Sequence, residues 1–176
     1  MKNIASIMTV LVLLSGAVAC HQQKEEKSQT SYIPQTSPSP MEINQLEQAT
    51  KMSPTSKEAW INYGNSLMDT QRYSEAIVAY EKALALDPKN VGVRVDLGTC
   101  YRGVGKFDKA VEEYRTALKI DPNFPNGHRN LAVVLAGDLH QPKEAVKEFQ
   151  KYLEIMPNAP DANEIKQTIK QLSSLK

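Results

Sequence analysis

The chain has 176 residues, with 21 basic and 20 acidic side chains and 41% hydrophobic residues. This length favours a single domain. The balanced charge argues against a nucleic-acid partner, because such binding requires the neutralisation of many phosphates. The same balance supplies no polybasic segment that would hold the protein on anionic lipid.

The amino terminus has the layout of a secretory signal peptide. Lys2 gives a positive start, an apolar run extends from Ile4 to Leu14, and small residues lead to Cys20. The run is shorter than the ~20 residues that a membrane-spanning helix needs. We therefore predict a signal peptide at residues 1–19, with a buried core helix as the alternative.

The residues before Cys20 resemble a bacterial lipobox, in which the first cysteine of the mature chain carries a diacylglycerol. Ala17 stands where that pattern prefers Leu, and Ala17-Val18-Ala19 is equally a plain cleavage site. Because cleavage just before a free thiol would be odd in a secreted protein, we predict lipidation at Cys20. This predicts a membrane-anchored lipoprotein of the bacterial cell envelope, the alternatives being a periplasmic or a secreted protein.

Residues 20–40 form a predicted flexible linker, lipid-anchored or free. They are rich in Ser, Gln, Thr and Pro and lack apolar periodicity. Such a composition buries too little apolar surface to offset the entropy of ordering.

The rest of the chain repeats itself. Pro88, Pro122 and Pro157 are separated by 34 and then 35 residues. A fixed period of this size is typical of a solenoid. Residues 57–90 and 91–124 share a pattern of signature positions. The first set is Trp60, Tyr63, Gly64, Tyr73, Ala76, Tyr80, Ala83 and Pro88, and from the seventh position onward it is matched by Leu97, Gly98, Tyr101, Phe107, Ala110, Tyr114, Ala117 and Pro122.

This pattern resembles the tetratricopeptide repeat. The resemblance implies an all-α, right-handed helix-pair solenoid of three repeats, at 57–90, 91–124 and 125–158. Arg94 stands where repeat one has Trp60, so we expect that anchor to be lost in repeat two. Repeat three has one extra residue, which we place in the turn at 137–142.

The repeat domain is predicted to span residues 41–176. A half-repeat helix at 41–54 would cover repeat one, and a capping helix at 160–174 would close the other end. Asn90 and Asn123 are predicted helix N-caps, and Thr55 with Glu58 forms a possible capping box. Cys100 is expected to be a small buried apolar residue.

Catalytic chemistry has little support in the sequence. His21, His128 and His140 have no second ligand at metal-binding spacing. The segment 103–106 ends like a phosphate-binding loop, but Cys100 occupies the place of the first glycine. We therefore expect no enzyme activity, no metal, no cofactor, no small-molecule substrate and no nucleic acid.

In tetratricopeptide arrays the first helix of each pair lines a concave groove, and the resemblance implies the same here. Helical spacing gives the expected partner-binding residues as Ile61, Asn65, Met68, Val95, Thr99, Arg102, Arg129 and Val133, edged by Asn62, Asp96 and Asn130. In repeat three these residues could instead pack under the terminal helix. Only Asn65 matches the clamp with which one subtype of the family binds the carboxylate tail of chaperones.

The predicted function is an envelope-anchored scaffold or adaptor that binds a protein or peptide segment in this groove and assists the assembly of an envelope machine. The membrane would be contacted through a lipid anchor only. We expect the partner to present apolar anchors and at least one acidic residue, paired with Arg102 or Arg129. The alternatives are a permanent structural subunit of an envelope complex and an unlipidated secreted adaptor.

Overall fold

A computed structural model of the chain describes residues 37–175. The signal peptide predicted at 1–19, the lipidation predicted at Cys20 and most of the linker predicted at 20–40 lie outside the described residues. Those predictions are therefore untested by the structure.

The described residues are helical throughout. The helices are α1 (Pro40–Met52), α2 (Lys57–Asp69), α3 (Tyr73–Leu86), α4 (Val91–Gly103), α5 (Phe107–Ile120), α6 (Pro125–Val133), α7 (Pro142–Ile155) and α8 (Ala162–Ser174), with a π-helical turn at Val134–Asp138 after α6. Helices α2 and α3, α4 and α5, and α6 and α7 pack as pairs, and the second helix of a pair packs on the first helix of the next. The all-α helix-pair solenoid is confirmed.

Each of the first two pairs is held by a close approach between a glycine and a tyrosine ring. A Cβ atom built on Gly64 would lie 2.7 Å from the ring of Tyr80, and one on Gly98 would lie 2.6 Å from the ring of Tyr114. Both rings are almost fully buried. Only a residue without a side chain allows the helices to pack this closely.

Two of the predicted helix caps are displaced by one residue. The N-cap of α2 is Ser56, whose side chain accepts a hydrogen bond from the backbone N–H of Ala59. The N-cap of α6 is Phe124, which makes no side-chain cap, and Pro125 follows it as the first helical residue. Pro needs no partner for a missing N–H at this position. Asn90 caps α4 as predicted.

The extra residue of repeat three is absorbed within the helix rather than in the turn. Its π-helical turn spans Val134–Asp138, and the N–H of Leu139 donates to the carbonyl of Val134 over 3.0 Å. A π turn contains one residue more than an α turn, so it accommodates a single insertion while keeping the backbone hydrogen bonded. The predicted location at 137–142 is thus corrected to a start at Val134.

In each repeat, the side chain at one position of the first helix hydrogen bonds to the carbonyl of a proline six residues earlier. The residue type at that position differs between the repeats. The indole N–H of Trp60 donates to the carbonyl of Pro54 at 2.9 Å. Arg94, one period later, donates to the carbonyl of Pro88 at 3.0 Å. His128 lies one further period on, with Nε2 at 2.9 Å from the carbonyl of Pro122. The anchor expected to be lost at Arg94 is therefore kept by its guanidinium.

The second helix of the pair places a carboxylate beside Arg94 and His128, and an alanine at the corresponding position of repeat one. Arg94 Nη1 lies 2.9 Å from Glu113, and His128 Nδ1 lies 2.7 Å from Glu148, which has the same register as Glu113. Repeat one, whose donor is uncharged, has the buried Ala79 there instead. Both ring nitrogens of the buried His128 thus lie within hydrogen-bonding distance of an oxygen.

This regularity predicts how substitutions at His128 behave. His128→Leu should lower the free energy of unfolding by about 1–3 kcal/mol, because the carbonyl of Pro122 and the carboxylate of Glu148 lose their donor. His128→Arg copies repeat two and should recover most of that loss. Urea denaturation followed by circular dichroism measures all three chains.

The pair His128→Trp with Glu148→Ala copies repeat one and serves as a second rescue. A His128→Leu chain as stable as the wild type would show that the side chain at this register carries no structural role.

Candidate functional site

The predicted groove is formed by the inner helices α2, α4 and α6. Ile61, Asn65, Met68 and Thr99 are half-buried on this surface, and Arg102 is exposed. Val95 is only 3% exposed and belongs to the core, so it offers no surface to a partner. That member of the predicted set is corrected.

The tyrosines that contact the glycines reach through the helix pair to the floor of the groove. The hydroxyl of Tyr80 donates to Asn65 Oδ1 at 2.8 Å and lies 3.8 Å from the sulfur of Met68. The hydroxyl of Tyr114 lies 3.2 Å from that of Thr99. Repeat three has Val133 and Phe149 at these two registers, so the polar pair is replaced by an apolar pair. Asn65 and Thr99 are therefore held in place before any partner binds.

Asn65 and Asn130 differ in which amide atom is already engaged within the protein. Because Asn65 Oδ1 accepts from Tyr80, its Nδ2 is the group available to a partner. Asn130 Nδ2 donates weakly to Thr99, at 3.4 Å, which leaves its Oδ1 as an acceptor. This assignment of the amide atoms follows from the hydrogen-bond network. The groove thus offers a donor in repeat one and an acceptor in repeat three.

Both groove arginines already have carboxylate partners. Arg102 Nε lies 2.5 Å from Asp138, which the π turn supplies. Arg129 Nε lies 2.6 Å from Asp161, and Asp161 also accepts from the hydroxyl of Tyr152 at 2.7 Å. These hydrogen bonds, that from Arg129 first, lower the pKa of Asp161. A partner carboxylate would have to share either guanidinium with an internal aspartate.

The groove is narrowed at repeat three by the terminal helix. Val133 and Ala136 pack against a buried cluster that includes Ile165 of α8. Asp161, which pairs with Arg129, directly precedes α8. The alternative that repeat-three residues pack under the terminal helix therefore holds for Val133, whereas Arg129 stays partly exposed and pairs with Asp161. The open part of the groove lies over α2 and α4, with Asn130 at its edge.

A pocket of about 410 Å³ opens at the end of α4. Tyr73 and Phe107, which have the same register in repeats one and two, form part of its wall. Thr99, Arg102 and Asp138 supply its polar groups, and the remaining wall is backbone at Gly103 and Gly105. The wall of this pocket therefore contains the ion pair of Arg102 with Asp138 and two aromatic rings.

Asp96 is the groove residue whose importance the sequence did not indicate. Burial, and secondly the nearby charge of Asp69, raise the pKa of its carboxyl from 3.8 to about 6. Among the described residues no side chain donates a hydrogen bond to it or pairs with it. Its register is that of Asn62 and Asn130, so the repeat alignment marks it as the one charged member of a polar row.

Residues 37–175 contain no group of three His, Cys, Asp or Glu side chains arranged to hold a metal ion. None of the helices over the same span is long and apolar enough to cross a membrane. Cys100 is fully buried, and burial raises the pKa of its thiol to about 12. Its expected place in the core is confirmed.

Asp96 should make folding less favourable at neutral pH. A raised pKa in the folded state means that the charged carboxylate costs stability above pH 6, and that this cost disappears as the pH falls below 3.8. Asp96→Asn should therefore raise the free energy of unfolding at pH 7 by about 1–3 kcal/mol, with little gain near pH 4. Urea denaturation at the two pH values tests this.

Glu112→Gln removes an exposed carboxylate from the outer helix α5 and serves as the control. If Asp96→Asn gave the same gain at both pH values, the effect would not arise from the ionised carboxylate.

Comparison with known proteins agrees with this architecture. The family model described as tetratricopeptide repeat matches residues 67–134. A crystal structure of MamA is 16% identical, with a TM-score of 0.64 over 74% of this chain and 84% of that chain. The structure titled "MamA MSR-1 C2" is 25% identical, with a TM-score of 0.61 over 68% of each chain.

A third structure is the first repeat domain of Spaghetti (RPAP3) bound to the HSP90 peptide SRMEEVD. It is 24% identical, with a TM-score of 0.62 over 67% of this chain and 94% of that chain. The comparison with curated protein sequences returns no match. The resemblance seen in the sequence is thus confirmed as a tetratricopeptide repeat match over residues 67–134, on a helix-pair solenoid shared with known structures of that type.

Proposed function

We propose that the repeat domain is a scaffold that binds an extended segment of another protein in the groove over α2 and α4. The observation that carries this proposal is the pair of groove amides: Asn65 is held by Tyr80 with its Nδ2 left for a partner, and Asn130 contacts Thr99 through Nδ2 with its Oδ1 left as an acceptor. An extended backbone offers alternating carbonyl and N–H groups that match such a donor and acceptor. The similar repeat domain bound to an HSP90 peptide supports a peptide or protein partner.

The two amides would contact different groups of the bound backbone. Asn65 would donate to a backbone carbonyl near repeat one, and Asn130 would accept from a backbone N–H near repeat three. Ile61 and Met68, half-buried beside Asn65, supply apolar contacts for a side chain of the segment. Hydrogen bonds held in place before binding cost less ordering entropy than flexible ones.

The charge of the groove revises the expected chemistry of the partner. Arg102 and Arg129 are paired with Asp138 and Asp161, whereas Asp96 has no donor among the described residues. A basic or hydrogen-bond-donating side chain over Asp96 would relieve the cost of its buried charge. We therefore replace the acidic residue expected from the sequence with a basic one at this place.

Two groove substitutions test the binding mode. Asn65→Thr takes the residue that repeat two uses at this register, so it keeps a partner for the hydroxyl of Tyr80 while removing the free amide. Combined with Asp96→Asn, it should weaken capture of the partner about tenfold or more, since each lost hydrogen bond is worth about 1 kcal/mol. The partner is first identified by crosslinking from native membranes with the full chain as bait.

Lys82→Glu on the outer helix α3 is the matched control. Glu81 is unsuitable for this purpose, because it accepts a hydrogen bond from Tyr101 at 2.8 Å. Loss of the partner in Lys82→Glu, with capture kept in the groove variant, would move the interaction to the convex face and favour a permanent structural subunit.

We further propose that the scaffold is held at the bacterial cell envelope by a lipid on Cys20, with the residues between Cys20 and α1 as its tether. The support is the order of signal-like residues before Cys20 in the sequence. Metabolic labelling with a palmitate analogue should mark the wild-type chain and leave Cys20→Ala unmarked.

Cys100→Ala is the matched control for that experiment, because the second cysteine is buried in α4. Equal labelling of the wild type and Cys20→Ala would contradict lipidation and leave the secreted adaptor.

A further inference from the structure

Helix α1 carries an exposed stripe that no described residue covers. Met41, Gln45, Gln48 and Met52 lie within about 60° of one another around the helix, given 100° per residue. Met52 is 85% exposed and Met41 is 69% exposed, the highest values among the exposed large hydrophobic side chains of residues 37–175. These four residues are called the α1 stripe.

The stripe is absent from the opposite end of the solenoid. On α8 the exposed side chains are polar, including Lys166, Gln167 and Lys170, while Ile165 faces the core. A terminal helix of a repeat array normally turns a polar face outward for solubility. Helix α1 departs from this rule at its two methionines, which are strongly exposed at the two ends of the stripe, and a terminal helix that exposes large apolar side chains is a candidate interaction surface.

The stripe also contains no charge. Lys51 is turned toward Glu47, with which it pairs at 2.6 Å, and both lie to one side of the stripe. The stripe therefore presents no charged group with which a charged partner could pair. The chemistry that fits is an equally uncharged surface of methionine and amide side chains.

The order of residues in the stripe is the same in both directions. Read forward or backward, it is Met, Gln, Gln, Met, with its midpoint between Leu46 and Glu47. A two-fold dimer contact requires each residue i that meets residue j to be matched by j meeting i. In an antiparallel contact Met41 would meet Met52 of the second copy, and Gln45 would meet Gln48.

We propose that two copies of this chain associate through an antiparallel contact between their α1 helices. The methionines would pack at both ends of the contact, and the glutamine amides would hydrogen bond near the two-fold axis. A single helix pair buries less than the ~1,200 Å² of a standard interface, so the dimer should be reversible and concentration-dependent. This inference does not depend on the groove, which lies on other helices.

Cysteine crosslinking tests the register of the contact. Met41→Cys and Met52→Cys are placed in separate full chains that also carry Cys20→Ser and Cys100→Ala, and the two chains are co-expressed and oxidised. The mixed pair should form a disulfide several-fold more than either chain alone, because like residues would be about 16 Å apart along the helix axis. Efficient crosslinking of Met41→Cys to itself, or equal crosslinking in all combinations, would overturn the antiparallel register.

Sedimentation equilibrium of the full chain in density-matched detergent tests the association itself. The wild-type mass should approach that of a dimer as concentration rises, and Met41→Glu with Met52→Glu should abolish this rise. Val78→Glu replaces another exposed apolar side chain, on α3, and should leave dimerisation unchanged. A wild type that stays monomeric at all concentrations, with or without binding to lipid vesicles, would overturn the proposal.

Discussion

The rest of the structure depends on the packing of a tyrosine ring against a glycine, which has no side chain to hold the ring away. Gly64 and Gly98 allow Tyr80 and Tyr114 to lie against the backbone of the inner helix. The rings fill the interior of each pair, and their hydroxyls emerge at the groove, where they meet Asn65 and Thr99. One side chain therefore sets both the spacing of the helices and the orientation of a polar group on the binding surface.

That coupling limits which groove residues can vary independently. A change at Asn65 that removes its oxygen would leave the largely buried hydroxyl of Tyr80 without its oxygen acceptor, at a cost comparable to a lost hydrogen bond. Thr at this register preserves the contact, as repeat two shows with Thr99. Repeat three removes both members of the pair at once, with Val133 facing Phe149. The three repeats thus use three different residue pairs at this contact: Asn with Tyr, Thr with Tyr, and Val with Phe.

Much of this architecture follows from the sequence because the same positions recur at a fixed period. The spacing of Pro88, Pro122 and Pro157 predicts the repeats, and the alternation of glycine and tyrosine predicts which faces meet. The π turn could not be predicted in this way. The sequence shows only that the register is shifted by the time the chain reaches Ala145, and the hydrogen-bond geometry places the π turn that absorbs the extra residue at Val134–Asp138.

The candidate groove was predicted less completely, for a similar reason. Helical spacing places a residue on a face but does not say what a neighbouring helix puts opposite it. Asp138 and Asp161 reach Arg102 and Arg129 from 36 and 32 residues away in the chain. Val95 is on the predicted face yet belongs to the buried core cluster. The aligned register of Asn62, Asp96 and Asn130 was a usable signal for the unusual environment of Asp96.

The π turn also links the length of this segment of the chain to an ion pair. Its additional residue places Asp138 beside Arg102, so the same insertion that disturbs the 34-residue period supplies an ionic brace between the second and third repeats. Restoring the regular period by deleting one residue from 134–139 would rotate the end of the inner helix by about 100° and carry the carboxylate away from the guanidinium. Such a deletion would leave Arg102 without the carboxylate partner that the π turn now supplies.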